Sequence, residues 1–262
     1  MPNPTLVADA DSLTLWLLDM GTEQYGDCIV CCRGDRTILI DGGHPGDFED
    51  RDGFKSIPHQ LAGILNTQPP FDIDLLIVTH CHRDHIGCLP ALVEGGVLKI
   101  ARALVADETF GFGHIADAGP RDVSDAVARL AAALREEDHS NLPGAELDEF
   151  LTDAATLEDK YNGMLARLKQ AGTPIVRYGR NSHTPIETAF KDFGLKILGP
   201  TKSHLEICAR AIAGFTDLAA DLIRRQAGDA AAVDIADLYR TVASQSDALA
   251  ALASDKPARA LR

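Results

Sequence analysis

The sequence predicts a mixed α/β fold, and three observations predict it. Short apolar segments of strand length recur within residues 1–119 and again within 173–200. The stretches 120–172 and 201–255 instead space apolar residues by three and four, the period of a helix face. Residues 73–79 are apolar almost throughout, the pattern of a fully buried strand.

Composition sets the outer bounds. The 262 residues are 45% hydrophobic and 24% charged, the balance of a globular chain with a sizeable core, which excludes a disordered or fibrous protein. No run approaches the ~18–20 apolar residues of a membrane helix, and the N-terminus lacks the basic-then-apolar layout of an export signal. The expectation is a cytoplasmic protein without membrane contact. The net charge is −14. Residues 1–119 hold 7 basic against 18 acidic residues, a net −11. Such a surface repels nucleic acid and anionic lipid unless a metal or another chain offsets it. Six cysteines in this context are expected reduced. Cys28-x-x-Cys31 reads either as redox or half-zinc chemistry or as small residues in a buried strand; no second C-x-x-C completes a zinc site.

In chain order, residues 12–18 are the first strand candidate. Residues 28–32 and 36–40 form a hairpin around Arg33-Gly34-Asp35, and its second strand ends at Asp41-Gly42-Gly43. A helix fits 55–66, a strand 73–79, a short helix 89–94 and a strand 101–106. Phe110-Gly111-Phe112-Gly113 closes this first core part, 1–119. Within 120–172, Val123, Val127, Leu130 and Leu134 mark one helix. Leu147, Phe150, Ala154, Leu157, Tyr161, Met164 and Leu168 mark a second with a heptad seam. This reads as an inserted helical hairpin, packed within the chain or serving as a partner-binding arm. Core strands return in 173–200, at 174–178 and 195–198. Residues 201–255 read as a helical segment, with helices over 203–226 and 231–253. Residues 256–262 read as a flexible tail around Pro257.

The chemistry concentrates in His80-x-His82-x-Asp84-His85, directly after the buried strand. Three imidazoles and a carboxylate within six residues are N and O ligands suited to Zn²⁺, with Mn or Fe as alternatives. His80 and His82, two apart, can share one ion. Asp84 and His85 suit a second. Two adjacent ions can polarise a phosphoryl or carbonyl oxygen and acidify a bridging water.

Thr79-His80-x-His82-x-Asp84-His85-x-Gly87 resembles the signature of the metallo-β-lactamase superfamily, and Leu39-Ile40-Asp41-Gly42-Gly43 resembles its first motif. Leu17-Leu18-Asp19-Met20-Gly21 and Gly26-Asp27-Cys28-Ile29 resemble the branch containing the hydrolase domain of the competence protein ComEC, and Leu195–Pro200, read as a strand ending in Gly-Pro, also fits that branch. The resemblance implies an αββα sandwich of two similar halves with a metal site at one edge. It implies hydrolysis of β-lactams, lactones, thioesters or phosphodiesters. By position, His80 and His82 would bind the first of two divalent ions, and Asp84 and His85 the second. Asp84 would also orient the nucleophile as the catalytic residue, and Asp41 would support the ligands from behind.

The family completes its site with a bridging Asp and a further His. After Pro200 the chain offers Gly228-Asp229 and no His-His pair. His44, His183 and His114 are candidates to line the pocket. The expectation is therefore a first half of the sandwich. A second polypeptide, or a severed C-terminal half, would supply the remaining ligands, with Arg262 either a native or a proteolytic end. The leading functional expectation is a phosphodiesterase or nuclease acting on DNA or RNA. The alternatives are a small-molecule lactone, thioester or phosphoester hydrolase, and a regulatory or zymogen subunit active only after proteolysis or assembly.

Overall fold

The computed structural model describes residues 12–21, 26–114, 124–136, 139–227 and 234–243. The chain divides into two compact units. The first comprises residues 1–107 and 160–202, the second residues 108–159 and 203–262.

The first unit is built on a six-stranded sheet. Strands β1 (Thr14–Leu17), β2 (Ile29–Arg33) and β3 (Arg36–Ile40) form an antiparallel meander. The β2–β3 turn is tight because Gly34 takes a positive φ of 60°, opposite the Arg33↔Arg36 pair. Strands β5 (Leu75–Ile77), β7 (Ala103–Val105) and β8 (Ile175–Arg177) continue the sheet in parallel beside β3, in the order β1-β2-β3-β5-β7-β8. A parallel two-stranded ribbon pairs β4 (Phe71–Ile73) with β6 (Leu98–Ile100).

Parallel neighbours need crossovers. Helix α1 (Ile57–Leu65) makes the first, capped by Ser56, whose hydroxyl accepts the His59 amide and is itself tied to Asp50 at 2.7 Å. Helices α2 (Arg83–Ile86) and α3 (Leu89–Glu94) make the second. Leu39, Leu75, Leu76, Val78, Leu104 and Val105 form a dry centre around these crossovers, with Ile57, Leu61 and Leu89 fully buried.

The single strand expected at 73–79 is two. Asp74 separates β4 from β5 by bonding back to Thr37: its carboxylate accepts the Thr37 amide and its own amide donates to the Thr37 carbonyl. The strand expected at 195–198 is absent. That stretch follows a 3-10 turn (Lys191–Phe193) and Gly194, whose φ is 68°. The Glu187 carboxylate takes the Ile197 amide, and Leu198 is 94% exposed. With no strand alongside among the described residues, the segment forms no ladder. Of the core strands expected in 173–200 the structure keeps β8, followed by helix α7 (Thr184–Ala189).

The second unit is helical, with α4 (Glu108–Gly111), α5 (Asp125–Ala133), the first part of α6 (Gly144–Gln170), α8 (Lys202–Ala227) and α9 (Ile235–Ala243). Its core joins Val127, Leu130, Leu147, Phe150, Ala154, Ala219, Leu238, Tyr239 and Val242. The heptad seam of α6 is spent inside the chain: all seven residues from Leu147 to Leu168 are 4% exposed or less. The remainder of the 231–253 helix expectation, Gly228-Asp229 and the tail 256–262 fall outside the described residues. Among the described residues, no helix is long and apolar enough to cross a membrane.

Candidate metal centre

In parallel sheets the loops leaving the C-terminal strand ends gather at one edge, where ligands bind. Here β3 delivers Asp41, β5 delivers Thr79 and His80, β7 delivers Asp107, and β8 delivers Tyr178. His82 stands at the N-cap of α2, which carries Asp84 and His85. The donor atoms of His80, His82 and Asp84 lie within 4.8 Å of one another. The His80 ring lies 4.7 Å from that of His82 and 3.8 Å from that of His85.

Asp41 organises this edge from below. It is 1% exposed and holds a left-handed φ of 57°, which Asp tolerates better than most residues. One carboxylate oxygen accepts the Thr79 amide at 2.8 Å. The other accepts the Thr79 hydroxyl at 2.5 Å and faces His85 Nδ1 at 3.0 Å. Because the Thr79 hydroxyl donates to Asp41, it accepts from His80 Nδ1, 3.0 Å away. This bonding assigns the Nδ1–H tautomer to His80 and leaves Nε2 with its lone pair free for a ligand.

Titration follows the same geometry. Burial, with the charges of His85 and His82, pushes His80 down to about 4, so it is a neutral imidazole near pH 7. Burial also works to lower His85, but its hydrogen bonds to Asp41 and Asp84 outweigh that and raise it to about 10. Burial opposes ionisation of Asp84, yet the bond and charge of His85 draw it down to about 2. His85 Nε2 and the Asp84 carboxylate stand 3.2 Å apart. With Nδ1–H given to Asp41 and the ring raised to about 10, the second imidazolium proton sits on Nε2 and faces the Asp84 carboxylate; a divalent ion would take the place of that proton between the two groups. The residues present therefore fit a divalent ion: imidazole nitrogens and a carboxylate, each oriented by a partner behind it.

The other histidines divide. His44, directly after the Asp41 turn, is 3% exposed, and its ring abuts Gly26, where an added Cβ would lie 3.2 Å from Nε2. His183 follows β8; its ring meets Tyr178 edge-on at 5.6 Å, and its buried Nε2 has no hydrogen-bond partner among the described residues. Tyr178 is buried, and burial followed by the Asp41 charge raises its phenol. His114 belongs to the second unit, where it pairs with Glu158 at 2.6 Å. Sequence reasoning missed Thr79 as a relay, Tyr178, the Asp107–Arg180 ion pair, and Asp27, whose carboxylate lies 4.0 Å from His85 Nδ1. The position of Thr79 beside His80 was the available signal. The others depend on strand order, which no local pattern carries. All six cysteines are free. Cys31 and Cys32 lie in β2, Cys28 just before it, and burial raises all three thiols, as befits strand residues.

Residues 21–206 match the family model described as metallo-beta-lactamase superfamily. Among solved structures, the chain is similar to "hydrolase AbOPH in beta lactamase superfamily", with 16% identity and a TM-score of 0.31. The match covers 62% of this chain and about half, 48%, of that one.

Proposed function

The chain belongs to the metallo-β-lactamase superfamily of hydrolases, and on that premise we propose that it is a metal-dependent hydrolase of phosphodiesters. The observation that carries the reading is the convergence of His80, His82 and Asp84 within 4.8 Å at the end of β5, with His85 beside Asp84. We assign His80 and His82 to one divalent ion and Asp84 and His85 to a second, with zinc best suited to this donor set. When bound, the ions supply Lewis acidity toward the phosphoryl oxygen and lower the pKa of the attacking water. The protein's own part is to keep His80 neutral, to hold the Thr79–His80 and Asp41–His85 contacts, and to aim the Asp84 carboxylate at the nucleophile's side of the site.

The choice of phosphodiester rests on Leu17-Leu18-Asp19-Met20-Gly21 and Gly26-Asp27-Cys28-Ile29, which resemble the ComEC-like branch. Since no His-His pair follows Pro200 in the sequence, we propose that a second polypeptide or chain segment supplies the remaining ligands and the basic surface a polyanion needs. One observation favours a second reading, a small neutral lactone or thioester as substrate: residues 1–119 carry a net −11, which opposes a polyanion.

The test is a panel of plasmid DNA, RNA, bis-p-nitrophenyl phosphate, a lactone and a thioester, run with Zn²⁺ or Mn²⁺ and with chelator. Chelator-sensitive cleavage of the phosphodiesters supports the first reading. Turnover of the esters alone supports the second. Turnover that survives full metal removal overturns both.

A further inference from the structure

Beneath the metal motif lies a buried carboxylate that the proposed chemistry does not use. Asp47 sits in the 3-10 turn Pro45–Phe48 and is fully buried. One of its oxygens accepts the His44 amide at 2.8 Å. The other accepts the Arg51 guanidinium at 2.7 Å, in an ion pair whose arginine end is 43% exposed. The carboxylate also presses on Gly43: a Cβ built there would lie 2.6 Å from Asp47 Oδ2 and 2.8 Å from the Met20 sulfur. Gly43 has a φ of 59°, so only glycine satisfies both the space and the backbone.

The turn so braced is bonded to the metal motif. The Gly43 carbonyl accepts the Gly87 amide at 2.9 Å. The Gly42 amide donates to the His85 carbonyl at 2.6 Å. The Gly43 amide donates to the Asp27 carbonyl, and the Asp27 amide reaches the Asp84 carbonyl at 3.3 Å. Gly87 is seated directly on Pro45, where a Cβ would come within 2.4 Å of the ring. A displacement of residues 42–45 therefore moves the backbone of Asp84, His85 and Gly87.

We infer that Asp47, with Arg51, is a positioning residue of the metal centre: it fixes the 42–45 turn, and that turn sets the direction in which Asp84 and His85 present their donor atoms. An ion pair with one buried and one exposed end is a weak device for stability, because desolvation of the buried carboxylate and solvent screening of the arginine cancel much of the attraction. Its use here is geometric. The inference rests on the metal reading above.

The experiment titrates the metal-free full chain with Co²⁺ and reads affinity and d–d absorption, alongside thermal melting without metal. Asp47→Ala is expected to weaken Co²⁺ binding about 10- to 100-fold, the usual cost of losing an outer support of a metal site, and to change the d–d band. Asp47→Asn, which keeps an acceptor for the His44 amide, is expected to recover part of that loss and the band shape. Arg51→Met removes the ion pair from its exposed end, together with the stacking of the guanidinium on Phe54, and it is expected to weaken binding less than Asp47→Ala does. Wild-type affinity and spectrum in Asp47→Ala overturn the inference; if that variant does not fold, wild-type behaviour of Arg51→Met does so. A native chain that binds no Co²⁺ overturns the metal reading as well, which separates the two failures.

Discussion

Asp41 and His85 stand 44 residues apart in sequence, yet the Asp41 carboxylate lies 3.0 Å from His85 Nδ1. The contact joins the end of β3 to α2 and works only because Asp41 takes a left-handed backbone. Asn tolerates that conformation about as well as Asp, whereas Ala adds strain of ~1 kcal/mol. Asp41→Asn should therefore fold, keep an acceptor for Thr79, and lose the charge that orients His85. Metal affinity is expected to fall about 10- to 100-fold while the melting temperature stays within a few degrees. Isothermal titration with Zn²⁺ and a thermal melt check both halves. Unchanged affinity would remove Asp41 from the site.

The proposed ligands themselves make a sharper case. His80 and Asp84 are half-buried in a loop and a one-turn helix, so shortening either leaves the dry core of Leu75, Leu76 and Leu104 untouched. His80→Ala and Asp84→Ala should lower kcat/KM by at least ~10³-fold, since removal of a ligand removes the electrophile that catalysis requires. Bound metal, measured by elemental analysis, should fall in step. Circular dichroism is expected to be unaltered. Wild-type turnover in either variant would sink the assignment.

The metal-free protein should show a characteristic stability profile against pH. His85 titrates at about 10 when folded and near ~6.5 when unfolded. Its contribution is fully present below ~6.5, where both states are charged. It is lost as pH rises toward 10, because the unfolded chain sheds a proton that the folded one keeps. His80 runs the other way: folded at about 4, it favours unfolding progressively as pH falls from ~6.5 toward 4. Asp84, lowered to about 2, adds stability that is lost only on further acidification. Chelated protein should therefore melt highest near pH 6–7 and lower at both pH 5 and pH 9. The Asp41→Asn variant should lose much of the alkaline slope. A melting temperature that rises from pH 7 to pH 9 would contradict the Asp41–His85–Asp84 arrangement.

Local pattern made parts of this architecture legible and hid others. The strand at β3, the helix α3 and the histidine motif all declare themselves within a dozen residues, because periodicity and ligand spacing are local properties. The β4–β5 division is invisible because Asp74 looks like a tolerated polar residue inside an apolar run; only its pairing with Thr37, across the sheet, turns it into a boundary. Residues 195–198 have the composition of a strand and lack a neighbour, and composition cannot report a neighbour. Tyr178 reaches the electrostatic field of Asp41 because β8 adds to the sheet beside β7, a pairing between residues about 70 positions apart. The motif singles out His80, His82, Asp84 and His85 as candidate ligands but not the Thr79 relay, which depends on which way one hydroxyl turns.

The seam of α6 gives the last prediction. Leu157 is 1% exposed and lies in the part of α6 that belongs to the second unit. If the seam serves packing, a lysine there must either bury an unpaired ammonium or pry the helix from its neighbours. Burying the charge alone costs several kcal/mol, and deletion of the leucine contacts adds ~2–5 kcal/mol. Against a typical total of ~5–15 kcal/mol, Leu157→Lys should unfold the chain or lower its melting temperature by more than ~10 °C. Leu157→Met, which preserves volume, should cost under ~1.5 kcal/mol. A docking arm makes the opposite forecast: the lysine variant would melt normally as a monomer and lose only association, which sedimentation at matched concentrations would reveal. The burial of all seven seam residues favours the first outcome, because a side chain already enclosed by its own chain has no surface left to offer a partner.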